Sequence, residues 1–316
     1  MDPYLSIVIP IYNEEENIPA LWERVSRVMA ESFADPAKPW EIIFTDDGSR
    51  DRSLAMLIDL AKTEPRVKVV EFNRNYGQHS AIFGAFAEVQ GQIVVTLDAD
   101  LQNPPEEIPK LVAKVEEGFD VVGGWRQGRQ DNDSFFRTMP SKIVNAITRR
   151  TTGVKLHDYG CMLRAYRRDV MDAMLLCKER SSFIPALANS FAKRITEVPV
   201  AHAERAAGTS KYGLWKLINL QFDLLTSFSL LPLQMLSVFG VITAALGFLL
   251  FLGLVVYRFM HPEGTAQGVF TLFAILFFFV GCQFIAFGLL GEYIGRIYQE
   301  VRDRPRYMVK KVHQAK

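Results

Sequence analysis

Two aspartates one residue apart close an apolar run, since Ile93 to Gln102 reads I-V-V-T-L-D-A-D-L-Q. Carboxylate oxygens are hard ligands suited to Mg²⁺ or Mn²⁺. Mg²⁺ is usually held by one or two carboxylates, with substrate phosphates completing its shell. Asp98 and Asp100 therefore suggest a divalent cation shared with a nucleoside diphosphate. A bare D-x-D can also do no more than open a turn, so the elements around it decide.

Those elements alternate. Leu5 to Ile11, Glu41 to Thr45, Val67 to Phe72 and Gln92 to Leu97 are short apolar runs of the kind that strands buried on both faces require. Between them, Asn17 to Met29, Asp51 to Thr63 and His79 to Val89 carry helical spacing, with Pro19 confined to a first turn. Strand and helix in alternation predict an α/β domain built on a mostly parallel, doubly wound sheet. In such a sheet the loops after the strands share one edge. Tyr12 to Glu14, Asp46 to Ser49, Asn73 to Gln78 and Asp98 to Gln102 can then converge on one ligand.

After Val122 the pattern changes. Gly123 to Arg137 is polar and basic, with Arg126, Arg129 and Arg137, and is read as a long loop of the kind that is functional or disordered. Ser141 to Thr151 resumes helical spacing, while Tyr159 to Tyr166 and Lys193 to Ala203 are read as strands. Tyr212 to Phe228 has aromatic and apolar residues at helical spacing beside Lys211 and Lys216, which suggests a helix on a membrane surface.

The last third decides the class. Leu224 to Tyr257 and Gly264 to Gly291 contain no charged residue, roughly 34 and 28 positions against the about 20 that a membrane-spanning helix needs. The connection carries Pro262 and Gly264, so the pair reads as a hairpin. Basic residues lie before the first block and after the second, from Arg296 to Lys311, and only Arg258 and His261 sit at the tip. That bias places both termini and the N-terminal domain on the cytoplasmic side. No signal peptide is expected, because the first apolar run is too short and lacks a basic flank. Cys161, Cys177 and Cys282 are isolated, and a cytosolic setting argues against disulfides. A net charge of +1 over 316 residues gives no general attraction to nucleic acid.

Taken together, P-I-Y-N-E-E at Pro10, D-D-G-S at Asp46 and D-A-D-L-Q-N-P-P-E at Asp98 resemble the family-2 glycosyltransferases with a GT-A (Rossmann-like) fold. G-T-S-K-Y at Gly208 and the C-terminal hairpin extend the resemblance to the polyprenyl-phosphate glycosyltransferases. Within that group, N-R-N-Y-G-Q-H-S-A-I (Asn73 to Ile82), D-Y-G-C-M-L-R-A-Y-R-R (Asp158 to Arg168) and L-L-G-E-Y-I-G-R-I-Y (Leu289 to Tyr298) are most similar to the undecaprenyl-phosphate 4-deoxy-4-formamido-L-arabinose transferases of lipid A modification and polymyxin resistance. Glucosyl and mannosyl relatives share most of these motifs. The Q-x-x-R-W motif of processive synthases is not found.

Hydropathy and charge together with the resemblance give a four-part layout: a cytosolic domain over 1–210, an interfacial helix over 211–229, a hairpin over 230–295 with spans near 230–257 and 266–291, and a basic tail over 296–316. It implies a UDP-sugar donor, undecaprenyl phosphate as acceptor, Mg²⁺ or Mn²⁺ as cofactor, contact with membrane lipid, and a homo-oligomer with a tetramer favoured. Pro10, Tyr12, Glu14 and Asp46 would form the uridine pocket, with Asp98 nearer the ribose and diphosphate. Asp100 and Gln102 would ligate the metal, and Arg205 and Lys211 would close over the diphosphate. Arg126, Arg137 and Ser141 would cradle the acceptor phosphate. Asp158 would be the base, or would orient an arginine or a sugar hydroxyl, because a phosphate acceptor needs little activation. His79 and His157 are read as hydrogen-bonded structural groups. Two alternatives stay open: a glucosyltransferase acting on the same lipid, and a membrane-anchored nucleotide-sugar sensor without catalysis.

Overall fold

The computed structural model describes residues 3–126, 157–158, 160–177, 183–201, 231–260, 268–302 and 304–315. Arg129, Arg137, Ser141, Arg205, Lys211 and the segments 141–151 and 211–229 lie outside them. The chain divides into two compact units, Met1–Ile218 with Arg304–Lys316, and Asn219–Asp303.

In the first unit the four apolar runs become strands β1 (Leu5–Ile11), β2 (Trp40–Asp46), β3 (Val67–Phe72) and β4 (Ile93–Thr96). They pair in parallel in the order β4-β1-β2-β3. Alternate residues feed two cores, one on each face: Leu5, Ile7, Ile9 and Ile11 join one, and Val8, Ile43, Val70 and Val94 the other. Burial on both faces is why these strands read as unbroken apolar runs. Helices α1 (Ile18–Ser32), α2 (Ser53–Thr63), α3 (Gln78–Phe86) and α4 (Ile108–Glu116) connect or follow them. α1 shows the logic: Ile18, Leu21, Val25, Val28 and Met29 are its buried stripe, and a proline occupies its first turn.

Beyond β4 the sheet continues through β5 (Val121–Arg126), β6 (Arg164–Arg167) and β7 (Ile195–Val200). β6 is antiparallel to both β4 and β5, and β7 runs parallel to β5. The sheet thus corrects the reading of Gly123–Arg137 as loop throughout, since its first four residues are strand. The cause lies in Gly123 and Gly124, which remove the apolar period. A Cβ on Gly124 would come within 3.0 Å of the Leu163 carbonyl oxygen and 3.1 Å of Cys161 Sγ, so close packing requires glycine there. α5 (Arg168–Leu176) and α6 (Ile184–Phe191) complete this side.

The chain end was expected to be a basic tail. Instead Val309–Gln314 forms β8, antiparallel to β3 at the sheet edge. Lys310 Nζ and His313 Nε2 reach the buried Glu71 carboxylate at 2.5 and 2.9 Å, and Tyr307 stacks on Phe72 with centroids 4.9 Å apart.

The second unit contains α7 (Leu231–Met260) and α8 (Val269–Val301), of 30 and 33 residues. Among the described residues one helix is long and apolar enough to cross a membrane, α8, through Phe278–Gly295.

Candidate functional site

Because β4, β1, β2 and β3 are parallel, their carboxyl ends line one edge. β1 lies between β2 and β4, so the strand order reverses direction at β1 and opens a crevice there. The residues expected to act collect along this edge. Pro10 is in β1, Tyr12 and Glu14 follow it, Asp46 ends β2, and Asp98, Asp100 and Gln102 follow β4. Arg126 ends β5, and Asp158 precedes β6, whose antiparallel course brings its entry to the same edge.

Backbone-to-side-chain bonds stitch the loops together. Asn13, at φ 55, donates its N–H to Ser49 Oγ at 3.1 Å and accepts the Arg50 N–H at 2.8 Å. The Glu14 N–H reaches Ser53 Oγ at 2.9 Å, leaving Tyr12 exposed beside them. Asp46 Oδ2 accepts the Ser49 N–H at 3.1 Å, whereas Oδ1 is buried and meets no partner among the described residues. Asp47 binds the next loop by accepting the Tyr76 and Gly77 N–H groups at 2.7 and 2.8 Å. Burial pushes both carboxyls above their ordinary value. Gly48, at φ 70, lets the two loops touch, because a Cβ there would lie 2.5 Å from the Arg74 carbonyl carbon.

Asp98 is half-buried between two amides, Gln78 Nε2 at 2.6 Å and Asn103 Nδ2 at 3.4 Å. Burial, and then the negative charge of Asp100, push its carboxyl up to about 6 against the pull of Arg126 and Gln78. Asp100 Oδ1 accepts the Gln102 N–H at 3.1 Å across Leu101. Leu101 is buried and sits at φ 58. A left-handed leucine costs about 1–2 kcal/mol, so its burial in the core holds this loop against backbone strain.

The donor set fits a cation of a particular kind. Among the described residues no group of three or more His, Cys, Asp or Glu could cage a metal alone. Asp100 and Gln102 offer two hard oxygens in a loop that also carries Asp98, whose ionised form is disfavoured by the charge of Asp100. That suits Mg²⁺ or Mn²⁺ whose remaining ligands come from a diphosphate.

Further along, Arg126 and Asp158 form a two-pronged pair, Nε to Oδ2 at 2.6 Å and Nη2 to Oδ1 at 3.0 Å, with side chains 13% and 12% exposed. Asp158 is itself fixed through its backbone. Its N–H donates to Glu197 Oε1 at 3.1 Å, and its carbonyl accepts from Arg164 Nη2 at 3.0 Å. Such an aspartate is arranged to orient a guanidinium.

Residues 6–175 match the model of glycosyl transferase family 2. The chain belongs to that family. It is 55% identical over 310 residues, 98% of this chain and 93% of the relative, to undecaprenyl-phosphate 4-deoxy-4-formamido-L-arabinose transferase of Klebsiella pneumoniae subsp. pneumoniae. The enzyme of the same name from Proteus mirabilis is 56% identical with the same coverage. Mannosyl-3-phosphoglycerate synthase from Rubrobacter xylanophilus shares the fold, with a TM-score of 0.52 at 14% identity over 70% of this chain and 71% of that one.

In this family-2 chain the sequence reading missed Asp47, Gln78, Asn103, Arg164 and Glu197. Four of them sit inside motifs that were recognised, D-D-G-S, N-R-N-Y-G-Q-H, D-A-D-L-Q-N and D-Y-G-C-M-L-R. Glu197 carried no such signal, because it acts on Asp158 from 39 residues away.

Proposed function

We propose that this family-2 transferase moves 4-deoxy-4-formamido-L-arabinose from its UDP-sugar to undecaprenyl phosphate, inverting the anomeric carbon by direct displacement. The observation that carries the reading is 55–56% identity over 98% of the chain to relatives named for that reaction. Pro10, Tyr12, Glu14 and Asp46 take the uridine, and the buried Oδ1 of Asp46, which meets no partner among the described residues, supports this as an acceptor for a ligand donor. Asp98 lies toward the ribose and diphosphate, with Arg205 and Lys211 closing over them.

Asp100 and Gln102 are the residues to hold Mg²⁺ or Mn²⁺, which when bound supplies charge stabilisation for the departing UDP. Arg126, Arg137 and Ser141 hold the acceptor phosphate, since guanidinium groups bind phosphate through paired bonds. That phosphate is already anionic near neutral pH, with a second pKa of about 6, so Asp158 serves best by aiming Arg126. Rate then comes from placing the anion against the sugar and from charge stabilisation. α7 and α8 form a two-span anchor at the cytoplasmic membrane, with both termini and the catalytic unit cytoplasmic. Gly281, Ala286, Gly288 and Gly291 in α8 permit close helix packing in a tetramer. The product feeds lipid A modification and polymyxin resistance.

UDP release by detergent-purified protein with Mn²⁺ tests the donor. Release from UDP-4-deoxy-4-formamido-L-arabinose that requires undecaprenyl phosphate is the expected result. Preference for UDP-glucose would overturn the sugar assignment, and release without turnover onto lipid would overturn the acceptor.

A further inference from the structure

Between β3 and α3 the chain must carry Gln78 to Asp98, and little local structure holds it there. α3 has nine residues, too few to be stable alone, and among the described residues no side chain caps its start. Its place is therefore set by what packs on it. At the crevice the Tyr76 and Gly77 N–H groups meet Asp47, and Gln78 Nε2 meets Asp98 Oδ1 at 2.6 Å. A second grip comes from the end of the chain.

β8 runs antiparallel to β3, so the residues that enter it, 306–308, stand at the carboxyl end of β3, on the loop edge of the sheet. The Asn73 N–H donates to the Met308 carbonyl at 3.3 Å, and Asn73 Nδ2 lies 3.6 Å from Met308 Sδ. Asn73 Oδ1 in turn accepts the Tyr76 hydroxyl at 2.9 Å. The Tyr307 ring lies on Phe72, 11° from parallel, and its hydroxyl donates to the Phe83 carbonyl of α3 at 3.3 Å. Arg306 covers the Phe83 ring at 4.3 Å and donates to the Cys177 carbonyl. Gly84 shows how closely these groups meet: a Cβ there would fall 2.5 Å from Phe72 Cζ and 3.6 Å from Tyr307 Cε2. Packing this dense transmits displacement, and a helix carries it along its axis, here about 7–8 Å from Phe83 back to Gln78. A shift of the Phe72–Tyr307 stack thus reaches the Gln78 amide.

We propose that Tyr307 is a positioning residue of the donor site, holding the Gln78 amide on Asp98 through Phe72 and α3. This rests on the donor reading above, in which Asp98 lies toward the ribose and diphosphate. β8 is three strands from β1, so the tyrosine acts from the rim of the sheet rather than from the crevice.

The test is a double-mutant cycle in full-length, detergent-purified protein, with KM measured for the UDP-sugar and for undecaprenyl phosphate. Tyr307→Leu keeps apolar bulk on Phe72 and removes the flat ring and its hydroxyl. It should raise the UDP-sugar KM about tenfold, near the lower end of what a hydrogen bond to a charged group contributes, with the lipid KM unchanged. Tyr307→Phe keeps the ring and loses one long neutral hydrogen bond, so it should stay within about twofold of wild type. Gln78→Ala should match Tyr307→Leu, and the double variant should be no worse than Gln78→Ala alone, because residues acting through one contact do not add. Additive effects would overturn the proposal by showing that the tyrosine acts elsewhere. A rise of both KM values alike would overturn it as a general loosening, and an unchanged UDP-sugar KM in Tyr307→Leu would overturn it outright. Wild type that by calorimetry binds no UDP, with or without Mn²⁺, would refute the donor reading itself and this proposal with it.

Discussion

Asp98 and Asp100 share a motif but not a setting, and the difference divides their work. Asp98 is gripped by the Gln78 and Asn103 amides, while Asp100 spans Leu101 to meet the Gln102 backbone. The first is held from two sides, and the second stands two positions before Gln102, whose amide oxygen is a hard ligand. Asp100→Ala should therefore lower kcat by at least about 10³-fold, because a Lewis acid contributes several kcal/mol. Calorimetry should find that Mn²⁺ no longer strengthens UDP binding, while membrane insertion is unaffected. Retained turnover would contradict the metal assignment. The motif made Asp98, Asp100 and Gln102 visible in the sequence, since hard ligands after an apolar strand have few other uses. Glu197 was invisible for the opposite reason: it works through the backbone of a segment 39 residues away, which no local spacing records.

At the scale of elements, β8 is where sequence and structure part most. V-K-K-V-H-Q has two lysines and a histidine and follows a long apolar helix, so it reads as a basic tail. Its partners on β3, Glu71 above all, are 239 and 242 residues away from Lys310 and His313. Burial works to raise the Glu71 carboxyl, and the bonds from Lys310 and His313 outweigh it, holding the group below its ordinary value. A carboxyl depressed by folding stabilises above the unfolded value of about 4.3 and loses that contribution as pH falls through the folded one. The protection factor of Val309–Gln314 against hydrogen exchange should accordingly be high at neutral pH and fall in acid. Glu71→Gln should bring the low protection to neutral pH, a local cost of about 1–3 kcal/mol. Unchanged protection in the variant would show that main-chain pairing alone seats the strand. β1 to β4 were legible because burial on both faces writes itself as apolar runs. β5 was not, because its glycines buy closeness to Leu163 and Cys161 at the expense of any pattern.

For the whole molecule, the proposed reaction joins a water-soluble donor to a lipid acceptor, and the two units differ in kind. The α/β unit gathers carboxylates, amides and a guanidinium along one sheet edge. The helical unit exposes large apolar side chains, among them Phe248, Phe278, Phe284 and Ile285 at 61%, 62%, 70% and 71%, a surface that water does not tolerate and lipid does. The central claim is that a sugar, without its phosphates, passes to the lipid's own phosphate. The most direct measurement is mass spectrometry of the lipid and nucleotide products after purified protein is given UDP-4-deoxy-4-formamido-L-arabinose, undecaprenyl phosphate and Mn²⁺. The account predicts undecaprenyl monophosphate carrying one formamido-pentose, with UDP released in equal amount. Release of UMP with a lipid diphosphate, or a lipid of unchanged mass, would contradict it.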